Sequence, residues 1–467
     1  MIDLKQLLEE VPENQKEVYV ALDNGKYTNL YSVAELVADL FNPKNPKIRK
    51  AIIGYLENLP EPKFNNHTKK VLETRYQVDK DETWINICDR IARAVTSHYH
   101  TKAEYEETDI PETANMVRDI RKIYKMMMYK LVFLPNTPTI INARKDRQGM
   151  MSACFHLPID DSLDGIGETL VRSMKIFAKG GGVGYDFSEL RPEGAVIAST
   201  GKTSSGVMPF MEMYNAMCAS ISQGGVRRGA MMGMLDISHP EIVKFIKSKR
   251  DISKLTNFNI SVRIPGEFWD AVNADDMWTL SWGDVTRQIK AKDLWDIICE
   301  CAWATGDPGV YYDDIVQDAN PFPELGQLGA NPCGEATLLP DESCNLGSLN
   351  LWILSQKNMM PSHAHVADEF LFIVFTALGI RFLNDVLINN QYPDANIAHK
   401  TYYLKKVGLG VCGLHDLIIQ RGEKYSTHAG MTIAADTMRT LQIASLVTSN
   451  LLTADKAYGY EMHLYNK

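Results

Sequence analysis

The amino-acid sequence predicts an α/β protein in which a large barrel or sheet domain follows a smaller helical one. Three observations lead there. The 467 residues exceed the size at which one hydrophobic core stops growing. Up to Leu131, apolar residues recur at helical spacing between breakers. After Pro135 the texture changes to short apolar, strand-like runs that alternate with amphipathic helices and Gly-rich turns, the pattern of α/β folds.

Taken in order, Ser32 to Phe41 and Pro46 to Leu59 each carry a helical pattern, separated by Asn42-Pro43 and Asn45-Pro46. Pro60, Pro62 and Asn65-Asn66 read as a linker. A helical segment runs from Thr68 through the charged 79–82 stretch to His98, and another fills Thr113 to Leu131. Beyond Pro135, Leu163 to Lys179 forms an amphipathic helix and Pro240 suits the first turn of the next. Phe370 to Leu387 and Thr432 to Tyr458 are two more, and neither internal repeats nor low-complexity tracts interrupt them. The expected division is an extension of unknown role at 1–65, a helical domain at 66–131 and the α/β domain at 132–467.

Composition narrows the function classes. Hydrophobic residues at 45% and charged residues at 23% are ordinary for a globular protein. A net charge of −9 argues against nucleic acid or anionic membrane as a partner, while leaving nucleotides open, because helix ends and loops bind phosphate whatever the net charge. Met1 to Glu10 carries acids and lacks the apolar core of a signal peptide, and Phe370 to Leu383 reads as too short for a membrane span and contains Arg381. A cytoplasmic location and no membrane are therefore expected. Eight cysteines are too few for a secreted disulfide scaffold, and without C-x-x-C spacing no metal site is expected. Cys88, Cys218, Cys299, Cys301 and Cys412 read as small buried residues.

Four stretches have unusual chemistry. Gly180-Gly181-Gly182-Val183-Gly184 supplies a permissive backbone for a tight turn or an anion cradle. The segment before it reads as helix, so a dinucleotide-binding fingerprint, which needs a strand there, does not fit. Gly201-Lys202-Thr203 suggests a phosphate loop, but Val196 stands where that motif needs glycine, leaving a mobile Ser/Thr/Gly-rich loop at 199–206. Ser222-Gln223-Gly224-Gly225-Val226-Arg227-Arg228-Gly229 frames two arginines with glycines, suited either to phosphate or base recognition or to a solvated loop. Asn331-Pro332-Cys333-Gly334-Glu335 sets amide, thiol and carboxylate on alternate positions, which in an extended chain face one way. Cys344 follows nine residues after Glu335. A thiol beside a carboxylate with a second thiol nearby points to redox or radical sulfur chemistry.

In this order, these segments resemble the large, catalytic subunit of ribonucleotide reductase. Pro135-Asn136-Thr137-Pro138-Thr139, Ser152-Ala153-Cys154, Ser343-Cys344-Asn345-Leu346, Leu383-Asn384-Asp385 and Gly408-Leu409-Gly410-Val411 complete the likeness, which covers residues 68 to 467. The resemblance implies a ten-stranded α/β barrel of two five-stranded halves, with a finger loop carrying a cysteine to the centre. It implies reduction of ribonucleoside di- or triphosphates to deoxyribonucleotides. Cys333 is then the thiyl radical that takes the 3′ hydrogen, Glu335 the acceptor of the 3′-hydroxyl proton, and Asn331 the holder of the ribose hydroxyls. Cys154 and Cys344 become the reducing pair, which requires Cα atoms about 4.4–6.8 Å apart. Thr137, Ala153, Cys154 and Gly182 match substrate-contacting positions. Asp161, Arg191, the 194–206 loop and the 222–229 loop, with Ser222, Arg227 and Arg228, match a dimer-face site where deoxynucleotide or ATP effectors set substrate choice.

The likeness is strongest to the adenosylcobalamin-dependent class, with a radical from a metal-containing small subunit as the alternative. It also implies a homodimer and a thioredoxin- or glutaredoxin-like reductant. Two departures accompany it. The family's substrate-phosphate loop is expected about where the sequence stops, so a split or shortened enzyme with incomplete C-terminal strands and a complementing C-terminal chain is expected. Residues 1–65 do not resemble an ATP cone. A rival reading is a non-catalytic nucleotide-binding or assembly half, against which stand the three cysteines together with Asn331 and Glu335.

Overall fold

The computed structural model describes residues 30–99, 111–144, 149–198, 200–221, 229–355 and 364–454. The chain divides into two compact units, one drawn from residues 1–151, 345–390 and 407–467, the other from 152–344 and 391–406. Strands are β1 (Phe133–Pro135), β2 (Cys154–Leu157), β3 (Gly182–Asp186), β4 (Met231–Asp236), β5 (Phe258–Ile264), β6 (Met277–Trp282), β7 (Val285–Lys290), β8 (Gly309–Tyr312), β9 (Gly329–Ala330), β10 (Thr337–Leu338), β11 (Glu342–Asn350) and β12 (Val407–Cys412).

The first unit is mainly helical. Helix Trp84–Val95 buries Ile87, Cys88, Ile91, Ala92 and Val95, a stripe at helical spacing. The stripe packs with Ile120, Ile123, Tyr124 and Met127 of helix Pro111–Tyr129, and Phe375, Leu378 and Phe382 of helix Ala364–Asn389 fill the same core. Arg49 is fully buried and closes the end of helix Leu30–Phe41, donating from Nη1 to Leu40 O at 2.9 Å and Asn42 O at 2.7 Å. The single helical segment expected from Thr68 to His98 is broken. Helix Asn66–Val71 runs into a π-helical turn at Leu72–Tyr76, and helix Trp84–Val95 starts afresh, because Asp81 adopts a positive φ of 68° and Thr83 is extended.

The apolar helix is longer than the sequence suggested. Phe370–Asn389 is 20 residues long and, by length and composition, able to span a bilayer, but 94% of its most apolar window is buried inside the fold. It is apolar all round because it is a core helix. A small sheet completes this unit: β1 runs antiparallel to β11 at Gly347–Leu349, and β12 runs parallel to it from Asn345 to Asn350.

The second unit is α/β. Five strands run parallel in the order β2-β3-β4-β5-β8, and Glu342–Cys344 of β11 pairs antiparallel with β2. Helices Leu163–Phe177, Val207–Ile221, Ile242–Lys247 and Ala291–Thr305 lie in the crossovers between them, as parallel pairing demands. All four residues of β2 and the first five of β4 are buried, the continuous burial expected of a sheet covered on both faces. Five parallel strands correspond to one half of the expected ten-stranded barrel.

Smaller features add to this. Residues 194–198 and 200–204 are the two sides of a narrow hairpin, with Val196 bridged to Thr203 and Ile197 N bonded to Lys202 O at 2.7 Å. Glu241 secures its base, accepting from Glu193 N at 3.2 Å and Val207 N at 2.7 Å. Pro240 precedes helix Ile242–Lys247 instead of lying in its first turn. Cys299 and Cys412 are exposed, whereas Cys88, Cys218 and Cys301 are buried as expected.

Candidate active site

A short hairpin lies over β3. Its strands β9 and β10 pair antiparallel, and residues 331–336 form the loop between them. The glycines of β3 make room for it. A Cβ on Gly184 would sit 1.6 Å from Ala330 O, and one on Gly182 would come within 2.7 Å of Pro332 Cγ. The glycine run is thus used for close backbone approach by the hairpin.

The loop is not the extended segment expected from alternate positions. Asn331 N bonds to Ala336 O at 3.2 Å, Asn331 Oδ1 accepts from Ala336 N at 3.0 Å, and Gly334 turns the chain with a φ of 77°. Asn331 is fully buried beneath the turn, while Cys333 and Glu335 are exposed at its tip.

Cys154 opens β2 and stands directly across from Cys344 on β11. Opposed residues of an antiparallel pair have Cα atoms about 4.5–5.5 Å apart, inside the range a disulfide spans. Both thiols are reduced and buried. A hydrogen bond with Cys154 and then burial push the Cys344 thiol well above its ordinary pKa. Cys154 Sγ accepts from Asn331 Nδ2 at 3.1 Å and donates to Glu335 Oε1 at 3.7 Å. The Asn331 amide, the Glu335 carboxylate and the Cys344 thiol therefore converge on the Cys154 sulfur, from the hairpin on one side and β11 on the other. Two facing thiols with a carboxylate on one of them form an arrangement suited to thiol–disulfide redox chemistry.

Comparison with known proteins agrees with this chemistry. A family model described as ribonucleotide reductase, barrel domain matches residues 152–467, and one described as ribonucleotide reductase, all-alpha domain matches 63–148. The chain belongs to the ribonucleotide reductase family. Among curated relatives, the vitamin B12-dependent ribonucleoside-diphosphate reductase of Mycobacterium tuberculosis is 36% identical over 87% of this chain and 57% of its own. The protein of the same name from Thermoplasma acidophilum is 38% identical over 90% of this chain and 62% of its own. The ribonucleoside-diphosphate reductase large subunit of Monkeypox virus is 26% identical over 99% of this chain and 61% of its own. The chain thus spans roughly three-fifths of the length of these relatives.

The other residues expected of a ribonucleotide reductase fall in different places. Ala153 is buried beside Cys154, and its carbonyl accepts from Gly182 N at 2.8 Å, which ties two expected substrate contacts together. Thr137 belongs to the helical unit, where it begins helix Thr137–Asn142 and its Oγ1 lies 3.1 Å from Tyr76 Oη. Asp161 and Arg191 bind each other, Arg191 Nε donating to Asp161 Oδ2 at 2.8 Å and Arg191 N to Asp161 Oδ1 at 3.2 Å. Ser222, Arg227 and Arg228 lie outside the described residues.

Residues that sequence reasoning missed support the hairpin. His156 bonds through Nδ1 to Gly184 O at 3.1 Å, and its ring lies where a Cβ on Gly329 would be. Burial lowers its pKa to about 4, so the imidazole is neutral. Lys406 Nζ donates to Thr337 O at 2.9 Å and to the buried Glu342 at 2.8 Å, fixing the return strand. Asn259 Nδ2 donates to Pro332 O at 2.8 Å. The available signal was a polar residue inside an apolar strand, as in Cys154-Phe155-His156-Leu157 and Phe258-Asn259-Ile260.

Proposed function

We propose that this chain carries the reductive site of a ribonucleoside-diphosphate reductase, as the relatives' names describe. The observation that carries the reading is Cys154 facing Cys344 in register, with Asn331 and Glu335 both on the Cys154 sulfur. In this reading Cys333, as a thiyl radical, takes the 3′ hydrogen atom of the ribose, and Glu335 takes the 3′-hydroxyl proton. A positioned general base contributes about 10²–10⁴-fold. The 2′ carbon–oxygen bond breaks and the hydroxyl leaves as water with a proton from the thiol pair. Cys154 and Cys344 supply two electrons and two hydrogens in all and close as a disulfide, and Cys333 returns its hydrogen to C3′. The balance is one ribonucleotide and one dithiol consumed for one deoxyribonucleotide, one water and one disulfide.

The relatives are named vitamin B12-dependent, and adenosylcobalamin, when bound, would supply the one-electron oxidation that makes a thiyl from a thiol. The exposed Cys333, at the end of a loop whose other anchor is buried, fits a thiol that must meet such a group. An external dithiol of the thioredoxin or glutaredoxin kind then reopens the Cys154–Cys344 pair. For regulation, the reading places a nucleotide effector near Asp161, Arg191, the 194–204 hairpin, Ser222, Arg227 and Arg228 in a homodimer.

Cys333→Ser tests the reading, in enzyme supplied with adenosylcobalamin, a ribonucleoside diphosphate and a dithiol. Product formation and exchange of the 3′ hydrogen should both vanish. Deoxynucleotide above background from the variant overturns the assignment.

A further inference from the structure

Asn259 is the second residue of β5. Its neighbours Phe258, Ile260, Val262 and Ile264 are buried, whereas Asn259 is exposed on the alternate face, so packing does not require an amide there. Its Nδ2 donates to Pro332 O at 2.8 Å. That carbonyl belongs to the planar peptide whose nitrogen is that of Cys333, so the bond orients the link leading into the thiol. On its other side the Pro332 ring rests against Gly182. Pro332 is therefore held between β3 and β5, one residue ahead of the exposed thiol. Asn331 shapes the loop from within through its bonds to Ala336 and Gly334, and Asn259 attaches the loop to the parallel sheet.

We propose that Asn259 is a positioning residue that fixes where the Cys333 thiol stands relative to the Cys154–Cys344 pair. The inference rests on the reading of Cys333 as the hydrogen-abstracting thiol. Asn259 touches no reacting atom and acts through the peptide before Cys333.

Two variants test it. Asn259→Asp keeps the shape but sets a carboxylate oxygen against the Pro332 carbonyl, and Asn259→Leu removes the polar group. Both should fold, since exposed substitutions away from the core shift stability little. In the purified chain, amide exchange of a peptide covering 331–336 should accelerate about fivefold, the factor that loss of one ordinary hydrogen bond gives. In the adenosylcobalamin-loaded enzyme, kcat should fall about tenfold or more with KM unchanged, because misplacing a reacting atom acts on chemistry rather than on substrate binding.

Wild-type exchange in both variants overturns the proposal. So does faster exchange with wild-type kcat, which would make the bond merely structural. If Cys333→Ser still makes deoxynucleotide, the reading of function fails instead, and the exchange result still decides whether Asn259 holds the loop.

Discussion

Gly184→Ala adds one methyl group where the structure has no room for it. The new Cβ would lie 1.6 Å from Ala330 O and 2.8 Å from Ala330 C, both backbone atoms that cannot rotate away. Moving from 1.6 Å to an ordinary contact of about 3.4 Å requires the hairpin or β3 to shift by about 1.8 Å. A shift that large breaks the 3.1 Å bond from Asn331 to Cys154 and the 2.8 Å bond from Asn259 to Pro332, each worth about 1 kcal/mol. Holding the hairpin in place instead costs about 1–3 kcal/mol of overpacking. The expected loss is thus about 2–3 kcal/mol, or roughly 4–12 °C in the melting of the α/β unit. Turnover should fall by about 10²-fold or more. Gly54→Ala is the control. Nothing lies within 4 Å of its Cβ in helix Lys47–Asn58, and it should add about 0.5–1 kcal/mol. Calorimetry with amide exchange over 329–338 decides the matter. Gly184→Ala with wild-type melting and wild-type protection of the hairpin would refute the close-approach account of β3.

Other perturbations follow from the same geometry. Arg49→Met leaves the buried Leu40 carbonyl, and the part-buried Asn42 carbonyl, at the end of helix Leu30–Phe41 without their donor and should destabilise the helical unit by about 1–3 kcal/mol; an unchanged melt would contradict this. His156 has its pKa lowered to about 4 against an unfolded value near 6.5, so the folded state binds fewer protons between the two. Its contribution is present above about pH 6.5 and is lost as pH falls toward 4, by up to ~3 kcal/mol. His156→Leu should flatten stability across that window, and an unaltered acid slope would count against a buried neutral histidine. Cys344, with its pKa raised well above ordinary, keeps its proton at mildly alkaline pH. Iodoacetamide should therefore label the exposed Cys333 long before Cys344, and the reverse order would show that the buried pairing is wrong.

Much of this was legible in the sequence because its signals are local. The helical stripes and the change of texture at Pro135 each carry their meaning in a few neighbouring residues, and the cysteines at 154, 333 and 344 stand out by theirs. What stayed hidden depends on contacts between distant segments. Gly182 and Gly184 look like an anion-binding turn until the hairpin, about 145 residues later, is seen lying on them. The alternation of Asn331, Cys333 and Glu335 suggested an extended strand, yet Gly334 turns the chain, and Asn331 and Glu335 reach Cys154 from a loop. Gly201-Lys202-Thr203 has the composition of a loop, and nothing in it tells that Glu241 holds the base of its hairpin through Glu193 and Val207. Lys406 gave no sign at all, since one lysine after a helix is an ordinary residue until its partners are known, and Asn259 showed only as a polar residue inside an apolar strand, with nothing to name Pro332 as its partner.

The central claim is that Cys154 and Cys344 are the pair that is oxidised when substrate is reduced. A single turnover with adenosylcobalamin and a ribonucleoside diphosphate, without external dithiol, followed by acid quench, alkylation and peptide mapping, tests it directly. The account predicts close to one deoxynucleotide per site and one Cys154–Cys344 disulfide, with Cys88, Cys218, Cys299, Cys301, Cys333 and Cys412 alkylated. Product formed with both Cys154 and Cys344 still free, or with either joined to a different cysteine, would contradict it.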